Sequence, residues 1–441
     1  MSKCKFLFLL LLLFPLAVSA EGLFGAEEFY LANGMRVIVV PNHRVPVVKH
    51  MVWYKNGASD ENIGKGGTAH LLEHLMFRGT KDVSGQKFNI LMEENGAESN
   101  AFTGQDMTAY HQFLDVSRLE LAMLLEADRM ANLQFDKDAF IAERDIVFQE
   151  RKQRVDNNPV GKFREILNRI LWQQHPYSHP ITGTDKEILS LTKEDVSDYY
   201  KKYYVPNNAV LILAGDIDVN KAKELATKYY GALKSREIEE TNWPDISEKF
   251  SATFDMQDEK INGIRVLRAY IAPSFMKNPE SVYDLQVLAA YMGGSDTSKL
   301  YKKLVLERKK LLSVSVDYDP VSRSYGTFSI SMIPNGEISS DEALRELDKA
   351  WQEAIFELNE QELNKIKRKL SAGLVYLKDN PEDAAYIVGS MAISGMNLEE
   401  IEAQEQKIKN VELKHLLNSA KNLVANAPNV TGILRPKENK Q

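Results

Sequence analysis

The chain has 441 residues, 44% of them hydrophobic, and its 55 Lys and Arg against 62 Asp and Glu give a formal net charge of −7. That mildly acidic balance argues against nucleic acid as a partner. The length exceeds one ordinary core and calls for two or more domains.

The chain opens with Lys3 and Lys5, an apolar run from Phe6 to Val18, and a small-residue end at Val18-Ser19-Ala20. This is the pattern of a secretory signal peptide over residues 1–20. The run is shorter than the ~20 residues of a membrane-spanning helix, so no stable span is expected. Cleavage would remove Cys4, the only cysteine, and leave neither disulfide nor thiolate ligand. Secretion without disulfides suits a bacterial periplasm.

From Glu27 the pattern is strand-like. Phe29 to Leu31 and Met35 to Val40 flank Asn33-Gly34, a hairpin signal. Val47 to Tyr54 makes a third strand, and a loop with Gly64, Gly66 and Gly67 leads to His70-Leu71-Leu72-Glu73-His74. On a helix, positions 70, 73 and 74 share one face. Two imidazoles one turn apart can grip a zinc ion, and the carboxylate between them can reach a metal-bound water. This inverted H-x-x-E-H order is that of inverzincin metallopeptidases. Alone it is also compatible with a solvated helix face, and a catalytic zinc needs a third protein ligand.

Leu119 to Leu133 reads as a long amphipathic helix. Phe140, Ile141, Ile146 and Val147 mark another, with Asp138 as its cap. Glu143 and Glu150 are seven apart on it and look the same way, so either could complete the site. Strands mixed with longer helices indicate an α+β fold. Residues 236–257 are charged, aperiodic and contain Pro244, and read as a linker between domains at 21–235 and 258–441. Beyond it, residues 263–267 and 269–272 replay strands of the first half. Asp284 to Met292 replays the metal helix with no ligand.

The chain resembles the pitrilysin/insulinase family of inverzincin peptidases, especially short members such as mitochondrial processing peptidase and bacterial relatives. Glu150 lies 76 residues beyond His74 within Glu143-Arg144-Asp145-x-x-x-x-Glu150, the family's spacing for its third ligand. By that match Glu150 binds zinc with His70 and His74, Glu73 is the catalytic base, and Glu143 orients a histidine or the water. Ser99-Asn100-Ala101-Phe102-Thr103 resembles the strand whose edge binds the substrate backbone. His175-Pro176-Tyr177 with Gly183-Thr184, and Tyr204 to Ala209, resemble further family segments. The resemblance implies two homologous α+β domains, each a mainly antiparallel sheet with helices packed on it, forming a clam-like chamber.

Several positions qualify that expectation. Phe77, one turn past His74, either lines a pocket beside the cut bond or packs in the core. His111, His175 and His179 read as structural. Val160, Lys162 and Arg164 stand where presequence-cutting relatives carry acids, so an arginine preference is not expected. Catalytic relatives carry an arginine and, seven residues later, a tyrosine in the second domain. Here Val305 and Leu312 occupy those places, and Arg308 falls three residues late. Losing one oxyanion donor costs about 10²–10³-fold in turnover. The resemblance therefore implies a related partner subunit that supplies the missing pair. The expected activity is a secreted zinc endopeptidase acting on peptides or unfolded segments. The rival readings are a non-catalytic scaffold subunit and a peptidase in maturation of a peptide-derived cofactor.

Overall fold

The computed structural model describes residues 22–437 apart from 240, 242 and 247, and the segment read as a signal peptide lies outside the described residues. The first sheet comprises β1 (Glu27–Tyr30), β2 (Arg36–Pro41), β3 (Val47–Tyr54), β4 (Glu98–Thr103), β5 (Thr108–Asp115) and β6 (Ala209–Gly215). Helices α1 (Thr68–Leu75) and α2 (Gly85–Glu94) separate β3 from β4. Between β5 and β6 run α3 (Leu119–Asn132), α4 (Lys137–Arg151), α5 (Pro159–Trp172), α6 (Asp185–Ser190) and α7 (Lys193–Tyr203), and α8 (Val219–Tyr230) follows β6.

The second sheet holds β7 (Ser251–Asp258), β8 (Arg265–Ala272), β9 (Leu311–Asp319), β10 (Gly326–Pro334) and β11 (Asn429–Pro436). Helix α9 (Val282–Gly293) follows β8. Next come α10 (Ser340–Glu357), α11 (Glu360–Asp379), α12 (Pro381–Ser394), α13 (Leu398–Glu402), α14 (Gln404–Lys409) and α15 (Leu413–Asn426). These are two α+β domains.

The expected hairpin is present, with Tyr30 opposite Arg36. The sheets read β1-β2-β6-β3-β5-β4 and β7-β11-β8-β10-β9. Without β1, the first order maps onto the second strand for strand. Each contains one parallel pair, β2 with β6 and β7 with β11, in the same place. Helix α9 follows β8 as α1 follows β3, so the internal repeat is a repeat of topology. Two details differ from the sequence reading. Residues 265–267 and 269–272 belong to one strand, β8, which leaves 263 and 264 outside it, and residues 251–257 of the segment read as linker form most of β7. Strand β7 alternates exposed and half-buried residues, so no apolar run announces it.

Each domain lends a helix to the other's sheet. Helix α12 of the second domain covers the back of the first sheet, packing Ala385, Val388 and Ala392 with Ile38, Met51, Trp53 and Ile212. Helix α5 of the first domain puts Leu167, Leu171 and Trp172 against Ala269, Ile271 and Val430 of the second sheet. Glycine permits both approaches. A Cβ at Gly389 would stand 2.2 Å from Trp53 Nε1, and one at Gly432 would stand 2.6 Å from the Phe163 ring. The contact is locked by charge as well. Arg323 donates to both oxygens of buried Asp60, at 3.0 and 2.8 Å, and its backbone N–H donates to Asp106 at 2.8 Å.

Candidate metal centre

Helix α1 begins at Gly67, whose φ of +88° is the left-handed region. The Glu61 carboxylate accepts from the N–H groups of Gly67 and Ala69, at 3.0 and 2.7 Å, and caps the helix from the preceding loop. Ala69, Leu71, Leu72 and Leu75 are buried in the first domain's main core, which leaves His70, Glu73 and His74 on the opposite face. Helix α4 is capped by Asp136, not Asp138. The Asp136 carboxylate accepts from the N–H groups of residues 138 and 139. Its inward face is Phe140, Glu143, Val147 and Arg151, whereas Ile141 and Ile146 are exposed. The apolar residues thus pointed partly to the wrong face, because Glu143 and Arg151 are buried with partners.

The two helices bring three donors together. His70 Nε2 is 3.6 Å from Glu150 Oε2, and His74 Nε2 is 3.8 Å from Glu150 Oε1. One ligand atom from each of these residues lies within 4.8 Å of the others, which is the only such cluster among the described residues. A tetrahedral ion bound at about 2.0–2.1 Å would hold its donors roughly 3.3 Å apart, so a small contraction closes the set. Glu150 Oε2 is buried and accepts no hydrogen bond. A carboxylate that turns one oxygen toward each of two imidazole nitrogens, with Arg154 beside it only as an ion pair, fits a cation.

Glu143 stands behind the site. Its Oε2 is 2.9 Å from His74 Nδ1, and its Oε1 accepts from Arg78 Nε at 2.5 Å. Burial opposes the Glu143 charge, but the bonds from His74 and Arg78 outweigh it and hold the pKa below the usual carboxylate range. Burial likewise opposes a charged His74, yet the Glu143 bond wins and raises its pKa. His70 is pushed down to about 3 by burial, then by His74 and Arg154. Glu73 accepts from Thr103 Oγ1 at 2.5 Å, and burial raises its pKa despite that bond.

A cavity of about 780 Å³ opens over this cluster. Its walls include His70, Glu73, His74, Glu143 and Glu150, with Phe77, Asn100, Ala101 and Phe102. Phe77 lines the cavity and also packs against the core. Arg78 and Arg154 line the cavity too, and sequence reasoning missed them, whereas Thr103 was expected only as part of the strand beside the substrate. Arg154 Nη2 lies 3.2 Å from Glu150 Oε2 at i,i+4 spacing, a signal legible on the helix. Among the described residues, none from the second domain lines the cavity. Leu312 is 63% exposed on β9, and Arg308 is paired with Glu346 and Glu353. His175 is buried against Ser324, 3.1 Å away, and His179 faces Glu187 at 3.9 Å, so they do not form a second metal pair.

Residues 36–185 match the family model for insulinase (peptidase family M16), and residues 190–370 match that for the peptidase M16 inactive domain. The chain belongs to the insulinase peptidase family. Zinc protease PqqE of Helicobacter pylori is 26% identical over 93% of each chain. Mitochondrial-processing peptidase subunit beta of Lentinula edodes is 24% identical over 82% of this chain and 80% of its own. A crystal structure of a protease from Helicobacter pylori superposes with a TM-score of 0.84 at 25% identity, covering 93% of this chain and 99% of that one. The periplasmic protease PqqL of Escherichia coli has the same fold at 19% identity and a TM-score of 0.77. Here 93% of this chain matches only 47% of the PqqL chain. The inactive-domain match falls largely on the half of this insulinase-family chain whose α9 has no ligand.

Proposed function

We propose that this chain is a zinc-dependent endopeptidase in which His70, His74 and Glu150 hold the metal. The convergence of those three side chains from α1 and α4 carries the reading. The zinc protease names of its relatives support it. Bound zinc supplies Lewis acidity toward a water and a peptide carbonyl. The Glu73 carboxylate takes the proton from the attacking water and delivers it to the leaving amine. Its raised pKa favours that second task, and Thr103 aims it. Glu143 orients His74. The substrate adds as a strand along β4, whose outer edge has no neighbour in the sheet.

A related second subunit completes the site in this proposal. Its support is the cavity walled by one domain, the absence of arginine and tyrosine at 305 and 312, and a PqqL chain about twice this one's span. Export to a periplasm follows the amino-terminal pattern, and no helix among the described residues is long and apolar enough to cross a membrane.

The test is metal content plus cleavage of an unstructured peptide, with and without a related chain encoded beside it. Glu73→Gln should keep the metal and lose turnover. Full turnover by the lone chain would remove the partner, and retained turnover in Glu73→Gln would remove the mechanism.

A further inference from the structure

Strand β4 has two faces. Thr103 reaches Glu73, so Ser99, Ala101 and Thr103 face α1, and Asn100 and Phe102 face the other side. There Phe102 meets an aromatic group drawn from both domains. Its ring centroid is 5.2 Å from Trp53 of β3 and 5.6 Å from Tyr386 of α12, and Trp53 and Tyr386 are 5.6 Å apart. Gly389, one turn beyond Tyr386, lies flush on the Trp53 indole, and that close approach sets Tyr386 beside Phe102. Trp53 is fully buried, whereas Tyr386 remains 52% exposed.

The surroundings carry little charge. His111 pairs with Asn100 across the strands and lies 6.3 Å from Phe102. Burial, then Lys49, pushes its pKa down to about 4, so it is neutral at physiological pH. Lys49 is neutralised by Glu382 at 2.6 Å. Asp319 of β9 also acts on Tyr386, though burial raises its own pKa and so favours its neutral form. An exposed aromatic ring beside a free strand edge suits an apolar visitor.

We propose that Tyr386 and Phe102 form a substrate subsite, built across the two domains, for a large apolar or aromatic side chain of the bound peptide. This rests on the reading that a peptide lies along β4. Side chains of such a strand alternate between faces, so those of one parity enter the metal side and those of the other meet Tyr386. Selection by this subsite therefore falls on positions of a single parity relative to the cut.

The experiment uses the zinc-loaded full chain, together with its related chain if turnover requires it. Cleavage of a peptide library is profiled position by position, and binding of the same peptides to the Glu73→Gln chain is measured by fluorescence anisotropy. Tyr386→Ala should reduce the preference for phenylalanine over serine at one position about tenfold, the scale of one lost aromatic contact, through KM. Tyr386→Phe should keep that preference. Tyr386→Lys should turn it toward acidic side chains at the same position, which a merely structural role would not do. Unchanged profiles in all three variants, or a change at adjacent positions alike, would overturn the subsite. If the wild type cleaves no peptide, the peptidase reading falls, and the binding measurements still decide the subsite by the same criteria.

Discussion

His74 Nδ1 sits 2.9 Å from Glu143 Oε2, so a carboxylate on α4 fixes the ring whose other nitrogen points at Glu150. Replacing Glu143 by Gln removes the charge that holds both His74 and Arg78. Zinc affinity should fall about 10–100-fold, the usual scale for losing such a supporting contact. Competition with a chelator measures it, and an unchanged dissociation constant would show that Glu143 serves only Arg78.

Arg323 is a buried charged link between the domains, paired with Asp60 and stacked 4.5 Å from the Trp243 ring. Arg323→Ala strands a carboxylate that is 1% exposed. Breaking a buried pair from one side costs about 3–5 kcal/mol. Denaturant unfolding should show a loss of that order. Arg323→Lys should recover only part of it, because an ammonium cannot reproduce the forked contact. Wild-type stability in the alanine variant would mean that the apolar faces alone hold the domains.

Gly389→Ala sets two effects against each other. Alanine favours a helix over glycine by about 1 kcal/mol. The added carbon would, however, stand 2.2 Å from Trp53 Nε1 and 2.4 Å from Cε2. Overpacking of a rigid core costs about 1–3 kcal/mol, so net destabilisation is expected. A raised melting temperature would show that α12 can move off the sheet freely.

His175 predicts an acid sensitivity. Burial, then Lys277, holds its pKa at about 4, below the ordinary 6.5. Below pH 6.5 the unfolded chain takes up a proton that the folded chain refuses. The stability is therefore full above 6.5 and is lost as pH falls toward 4, by at most about 1.4 kcal/mol per unit. His50, lowered chiefly by burial, acts in the same direction. The unfolding midpoint should fall between pH 7 and pH 5, less steeply in His175→Gln. Parallel slopes in both proteins would contradict the assignment.

What the sequence made legible was local. The hairpin at Asn33-Gly34 and the helix around His70 follow from short-range patterns, whereas the strand at 99–103 was expected from the family resemblance alone. Periodicity could not separate Glu143 from Glu150, since both share a face of α4. Their roles differ because α4 passes α1 so that one lies behind His74 and the other before it. Arg78, Arg151 and Arg323 were illegible for another reason. Their partners Glu143, Glu165 and Asp60 are 65, 14 and 263 residues away. Strand β7 was hidden similarly, because its neighbour β11 lies 178 residues further along, with Ser251 opposite Asn429.

The amino-terminal stretch of the described chain is bonded to the far half of the molecule. Leu23 N–H donates to the Glu402 carbonyl at 3.1 Å, and the Glu402 carboxylate accepts from the N–H groups of Phe24 and Ala26 at 2.7 Å each. A protease that severed the crossing near residue 245 would therefore release nothing. Its two fragments would stay clasped at the opposite end and travel as one particle until denaturant parted them.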